Sequence, residues 1–127
     1  MRALIVDDSR FIRNFLGGLL QTMQIDYAQA ADGQEALDML VSGQHFDLAL
    51  VDVNMPVMNG LDLVKTVREQ PAFNSMKVMM VTTEAETMVV VKALELGADE
   101  FLMKPFSEEG LKEKLELMGI LEICKDA

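Results

Sequence analysis

Leu48-Ala49-Leu50-Val51-Asp52 is a run of four apolar residues closed by an acid. Such a run is too short for a helix and lacks the in-and-out alternation of a half-exposed strand. It suits a strand buried on both faces, as in a parallel sheet. Working outward in both directions, the same pattern recurs. Ala3–Val6 leads into Asp7-Asp8, Val78–Val81 into Thr82-Thr83, and Phe101–Met103 into Lys104-Pro105. Tyr27–Ala30 offers a fifth, weaker strand. Between the strands the apolar period turns helical. After Asp8 or Ser9 as N-cap, Phe11, Ile12, Phe15, Leu16, Leu19, Leu20 and Met23 predict one inward stripe. Gly33–Val41 contributes Ala36, Leu37, Leu40 and Val41, closed by Ser42-Gly43. Leu61, Val64 and Val67 form a short face ending before Pro71. Thr87–Leu96 is a helix stopped by Gly97, and Ser107–Met118 another, with Leu111, Leu115 and Met118 inward. The segment 119–127 extends or follows it. Five strand–helix alternations predict an α/β, doubly wound fold.

The chain has 127 residues, with 11 Lys and Arg against 21 Asp and Glu, a net charge of −10. This length predicts one domain over residues 1–127, with no output domain attached. The charge argues against nucleic acid and anionic membrane as direct partners. Half the residues are apolar, yet no run approaches the ~20 needed for a membrane span. A lone cysteine, Cys124, excludes an internal disulfide and suits a reducing compartment. No signal-peptide pattern opens the chain. A soluble, cytoplasmic protein is expected.

Ligands of open parallel sheets bind outside the carboxyl ends of the strands. There this chain places Asp7, Asp8, Asp52, Thr82 and Lys104. Each has a plain structural alternative: helix caps for Asp7 and Asp8, a loop acid for Asp52, a turn residue for Thr82, a solvated lysine for Lys104. Their equivalent places in successive strand–helix units favour a shared crevice. Three carboxylates there would repel unless a cation joined them. Mg²⁺ suits an open, oxygen-lined site that shares its coordination with waters and phosphate oxygens. A carboxylate nucleophile, a metal, an ammonium and a hydroxyl are the parts needed to accept a phosphoryl group.

The stretches LIVDDS (Leu4–Ser9), DVNMPVMNG (Asp52–Gly60), VTTE (Val81–Glu84) and LMKPF (Leu102–Phe106) resemble those of bacterial response-regulator receiver domains, especially the stand-alone chemotaxis (CheY-like) type. Order and spacing agree from about Ala3 to Met118. The resemblance implies a flavodoxin-like (βα)5 fold with a parallel sheet in the order 2-1-3-4-5. It implies Asp52 as phosphoacceptor, with Mg²⁺ held by the carboxylates of Asp8 and Asp52, by Asp7 mostly through water, and by the backbone carbonyl of Asn54. Lys104 would pair with the phosphoryl group and Thr82 would hydrogen-bond it. The Lys104-Pro105 bond resembles the family's cis peptide. Thr82 and Phe101 match the family's switch pair; Phe101 has no hydroxyl where chemotaxis members often carry tyrosine. Asn54 and Glu84 match a fast-hydrolysing pattern, and Thr83 replaces a smaller residue, which would narrow access to the phosphoryl group.

The run Met88-Val89-Val90-Val91 sweeps more than one helix face. At least one of them should point outward, and the resemblance implies a partner surface formed by the fourth helix, last strand and last helix, to which Val90, Phe101 and Lys114 are expected to contribute. The implied partners are a histidine kinase as phosphodonor and a protein target such as a flagellar switch component. Alternatives are a phosphorelay intermediate or phosphate sink, a metal-dependent phosphohydrolase with an aspartyl-phosphate intermediate, and a receiver that binds partners constitutively. Phosphohydrolases of the dehalogenase type need a second acid two residues after the nucleophile, where this chain has Asn54. His45 reads as a solvated loop residue. Met79, Met80 and Met103 read as core, and Met55 and Met58 as partly exposed.

Overall fold

The computed structural model describes residues 1–53, 55, 58–83 and 87–121. Asn54, Glu84 and Cys124, singled out above, lie outside them. Strands and helices alternate: β1 (Arg2–Val6), α1 (Arg10–Thr22), β2 (Asp26–Ala30), α2 (Gly33–Val41), β3 (Leu48–Asp52), α3 (Gly60–Arg68), a 3-10 turn (Pro71–Phe73), β4 (Lys77–Thr83), α4 (Thr87–Leu96), β5 (Glu100–Lys104) and α5 (Glu108–Leu117). The sheet is wholly parallel, in the order β2-β1-β3-β4-β5. This is the doubly wound, flavodoxin-like arrangement expected.

The sheet sorts its side chains by alternation. Ala3, Ile5, Leu48, Leu50, Met79 and Val81 pack with Leu16 and Leu20 of α1 and Leu111 and Leu115 of α5. Leu4, Val6, Ala49, Val51, Val78 and Met80 pack on the other face with Leu40, Leu63, Val64, Val67 and Ala93, from α2, α3 and α4. Burial on both faces is why these strands read as unbroken apolar runs. β2 lies at the sheet edge and is only partly buried, which explains its weak signal.

Side-chain caps start four of the helices. Ser9, Asp32, Asn59 and Ser107 accept from the backbone N–H groups of Ile12, Glu35, Asp62 and Gly110 respectively. Gly97, with φ of 118°, supplies the left-handed turn that ends α4.

Five apolar placements depart from expectation. Phe11 and Phe15 are 76% and 44% exposed, because Leu16, Leu20 and half-buried Ile12, Leu19 and Met23 already cover the sheet. Val41 is exposed in the last turn of α2. Met103, expected in the core, is 39% exposed, because it lies near the end of an edge strand. Val90 is 5% exposed: it points inward beside Ala93, while Met88 and Val91 take the outer face of α4. Met79 and Met80 are core residues, and His45 is a surface residue facing Asp47 at 3.3 Å.

Candidate phosphoacceptor site

The register lines up the carboxyl ends of β1, β3, β4 and β5, so consecutive strand ends deliver the polar groups to one crevice. Asp52 is the last residue of β3 and is paired with Val81, immediately before Thr82. Asp7 follows β1, whose Val6 pairs with Val51. Asp7 and Asp52 are buried, whereas Asp8 is exposed at the rim. Carboxylate oxygens of all three lie within 4.8 Å of one another. Lys104, at the end of β5, reaches in from the side. Its Nζ lies 3.3 Å from Asp52 Oδ1 and 3.5 Å from Asp7 Oδ2. The Lys104-Pro105 peptide is cis, as expected.

The electrostatics follow from burial and crowding. Desolvation pushes the Asp52 carboxyl up to about 6, reinforced by the Asp7 charge and opposed by Lys104. Asp7 is raised too: burial outweighs the hydrogen bond from the Ser9 N–H and the attraction of Lys104. Burial alone would lower Lys104, but Asp52 and then Asp7 overcome it, and its ammonium is held above the usual lysine range. The site thus has more negative charge than one lysine satisfies. A hard divalent cation with oxygen ligands fits this donor set, two carboxylates buried and one at the mouth.

The scaffold leaves Asp7 little freedom. Its Oδ1 accepts from Ser9 N at 2.8 Å, its N–H donates to Ala30 O at 3.1 Å, and its carbonyl accepts from Arg13 Nη1 at 2.6 Å. Arg13 is in turn oriented by Gln29 Oε1 at 3.0 Å. Sequence reasoning missed this bracing residue; the available signal was an arginine one helical turn past the Ser9 cap, facing back towards the acids. Gly60 backs Asp52: a Cβ there would stand 2.4 Å from the Asp52 carbonyl oxygen. Thr82 is buried, and its hydroxyl donates to the Thr83 carbonyl at 3.2 Å; Thr83 itself is exposed at the rim.

An aromatic wall flanks the crevice. Phe11 stacks on Phe15 with centroids 6.4 Å apart, and Phe15 meets Phe106 at 5.7 Å. With Ile12, Thr83 and Lys104 they line an open groove of about 520 Å³. The aromatics were legible as apolar residues but not as a surface feature. On β5, Phe101 is half-buried, with Lys114 above its ring. Asp52, Asp7, Asp8 and Lys104 are therefore brought together, with Thr82 on the adjoining strand end. Phe101 and Lys114 meet elsewhere, and Val90 joins neither group.

Comparison with known proteins gives a consistent result. Residues 3–116 match the response regulator receiver domain family. The chemotaxis protein CheY homolog of Campylobacter jejuni is 40% identical over 117 residues, covering 91% of this chain and 90% of that protein. CheY1 of Helicobacter pylori is 39% identical over 119 residues, covering 93% and 96%. The solved structure of the chemotaxis response regulator CheY4 of Vibrio cholerae superposes with a TM-score of 0.83 at 38% identity, covering 94% of this chain and 98% of that one.

Proposed function

We propose that this chain, which belongs to the response-regulator receiver domain family, takes a phosphoryl group from a phosphohistidine donor onto Asp52 and thereby alters its binding to a protein target. The observation that carries this reading is the buried Asp52 carboxylate set against Asp7, Asp8 and Lys104 at the mouth of a parallel sheet.

In the transfer, an ionised Asp52 oxygen attacks phosphorus in line with the leaving imidazole. The P–O bond to Asp52 forms as the P–N bond breaks, and the imidazole nitrogen keeps the bonding pair and takes a proton from solvent. Asp7, Asp8 and Asp52, with the Asn54 carbonyl, would hold Mg²⁺, which when bound supplies positive charge for the phosphoryl oxygens. Lys104 already lies 3.3 Å from Asp52 Oδ1 and exchanges that contact for a phosphoryl oxygen. Thr82, buried on the neighbouring strand, turns its hydroxyl towards the same group. Hydrolysis reverses the modification: water attacks phosphorus and restores the carboxylate. Asn54 and Glu84 tune that step, and exposed Thr83 crowds the approach. The output surface combines Phe101 and Lys114 with Met88 and Val91, which take the outward role expected of Val90.

The test is intact mass after mixing with acetyl phosphate and Mg²⁺, from seconds to minutes, beside an Asp52→Asn variant. The expected result is one phosphoryl group on the natural chain, dependent on Mg²⁺ and absent from the variant. The absence of both an adduct and steady phosphate release would overturn the reading.

A further inference from the structure

Phe101 is held from outside by a compact arrangement of two side chains. Lys114 Nζ lies 4.5 Å from the Phe101 ring centroid and 3.2 Å from Glu100 Oε1. That same oxygen accepts the Phe101 backbone N–H at 3.0 Å. One carboxylate oxygen thus ties together the main chain of Phe101 and the ammonium that covers its ring. Neither partner is freely solvated, with side-chain exposures of 27% for Lys114 and 21% for Glu100.

The sheet register connects this corner to the crevice. Met80 pairs with Phe101 and Thr82 with Met103. Side chains alternate across a strand, so Met80 and Thr82 share one face of β4, and Phe101 and Met103 share the same face of β5. Met80 and Phe101 both join the core layer beneath α4. Thr82 and Phe101 are consequently diagonal neighbours in one layer. When Thr82 turns towards a modified Asp52, space changes in that layer, and a ring that moves into it must leave the ammonium.

The geometry points to the Glu100–Lys114 pair as a latch that favours the unphosphorylated position of Phe101 and so sets how readily the switch is thrown. Glu100 and Lys114 are positioning residues; neither touches the reacting atoms. The inference rests on the assignment of Asp52 as phosphoacceptor. A partly exposed cation–π contact and ion pair of this kind shift a two-state population about two- to fivefold. By linkage, anything that binds the activated state tightens by the same factor once the latch is removed.

The experiment measures the affinity for beryllofluoride, a mimic of the acyl phosphate, in saturating Mg²⁺. It compares the natural chain with Glu100→Gln, Lys114→Gln, the double variant, Lys114→Arg, and Phe101→Leu with and without Lys114→Gln. In parallel, NMR follows the Lys114 ε-methylene protons, which the Phe101 ring current displaces upfield. The latch requires each Gln variant to bind about two- to fivefold more tightly, the double variant no more tightly than either. Lys114→Arg retains the parental affinity, and Lys114→Gln has no effect in the Phe101→Leu background. The Lys114 signal returns to its ordinary position when beryllofluoride binds. Equal affinities across the series, or a Lys114 signal that stays upfield, would overturn the latch alone. Failure of the natural chain to bind beryllofluoride would overturn the Asp52 assignment and the latch with it.

Discussion

Asp52 is ionised at a cost to the fold, which has a direct consequence for stability. Burial and then the Asp7 charge push its carboxyl up to about 6 in the folded chain, against 3.8 for an ordinary aspartate. Between those values the folded state holds a proton that the unfolded state has lost, so this group makes the protein more stable as pH falls. Asp7 acts in the same direction. Asp47 opposes them: the Arg2 N–H lowers its carboxyl, so its contribution is present above the ordinary carboxylate range and is lost as pH falls through its depressed value. In EDTA at about pH 7, Asp52→Asn should therefore be more stable than the parent by about 1–2 kcal/mol, the advantage fading towards about pH 5. Urea unfolding at both pH values checks this, and a variant less stable at neutral pH contradicts it. Mg²⁺ should raise the thermal midpoint of the parent and do so much less for Asp7→Asn, because a cation that binds only the folded state stabilises it. At this scale the sequence was informative wherever a polar residue closed an apolar strand: Asp7, Asp52, Thr82 and Lys104 were all found that way. Arg13 and Glu100 were not, because a charged residue that braces a neighbour looks in sequence like any solvated charge.

Among the elements, α3 and α1 carry the sharpest consequences. α3 begins at Gly60, pressed against the Asp52 main chain so closely that a Cβ would stand 2.4 Å from its carbonyl oxygen. Backbone cannot yield as a flexible side chain would. Gly60→Ala should cost about 2–3 kcal/mol by overpacking and should slow phosphoryl uptake, as denaturant unfolding and mass-resolved acetyl phosphate kinetics would show. α1 presents Phe11 and Phe15 to solvent beside the crevice, and Phe15 rests on Phe106. A protein donor must bring its phosphohistidine to buried Asp52 across this wall; acetyl phosphate need not touch it. Phe15→Asp should therefore reduce transfer from a histidine-kinase donor far more than uptake from acetyl phosphate. A parallel loss with both donors would assign Phe15 to folding alone. The wall was hidden because periodicity places six apolar residues on α1 without saying which of them the sheet has room for. The same ambiguity put Val90 outside and left Met88 and Val91 unassigned. The strands had no such ambiguity, since a short run buried on both faces admits few other readings.

For the whole molecule, the two ends of the sheet have different tasks. At the amino ends of the strands the chain stitches itself together. Arg68 donates to the carbonyls of Gly97, Phe73 and Met76 and to Asp99, whose carboxylate also accepts the Val78 N–H. One guanidinium thus joins α3, the 3-10 turn, the approach to β4 and the turn between α4 and β5. Arg68→Ala should lower global stability by about 2–4 kcal/mol, seen as an earlier, still cooperative denaturant midpoint, while the mass assay on the folded fraction still detects the adduct. Nothing in a lone helix-terminal arginine announces such a role. Asp47 closes the same end further along: its side chain accepts from Arg2 N, and its main chain exchanges hydrogen bonds with Arg2 and Lys77. The groups assigned to chemistry all sit at the carboxyl ends, across the full length of the strands from this stitching. That separation makes the molecule straightforward to instrument. A fluorophore, surface anchor or fused reporter placed at the exposed Ser42-Gly43 turn would sit at the far pole from the crevice and both of its flanks, so modification could be watched in real time through a handle that leaves the chemistry undisturbed.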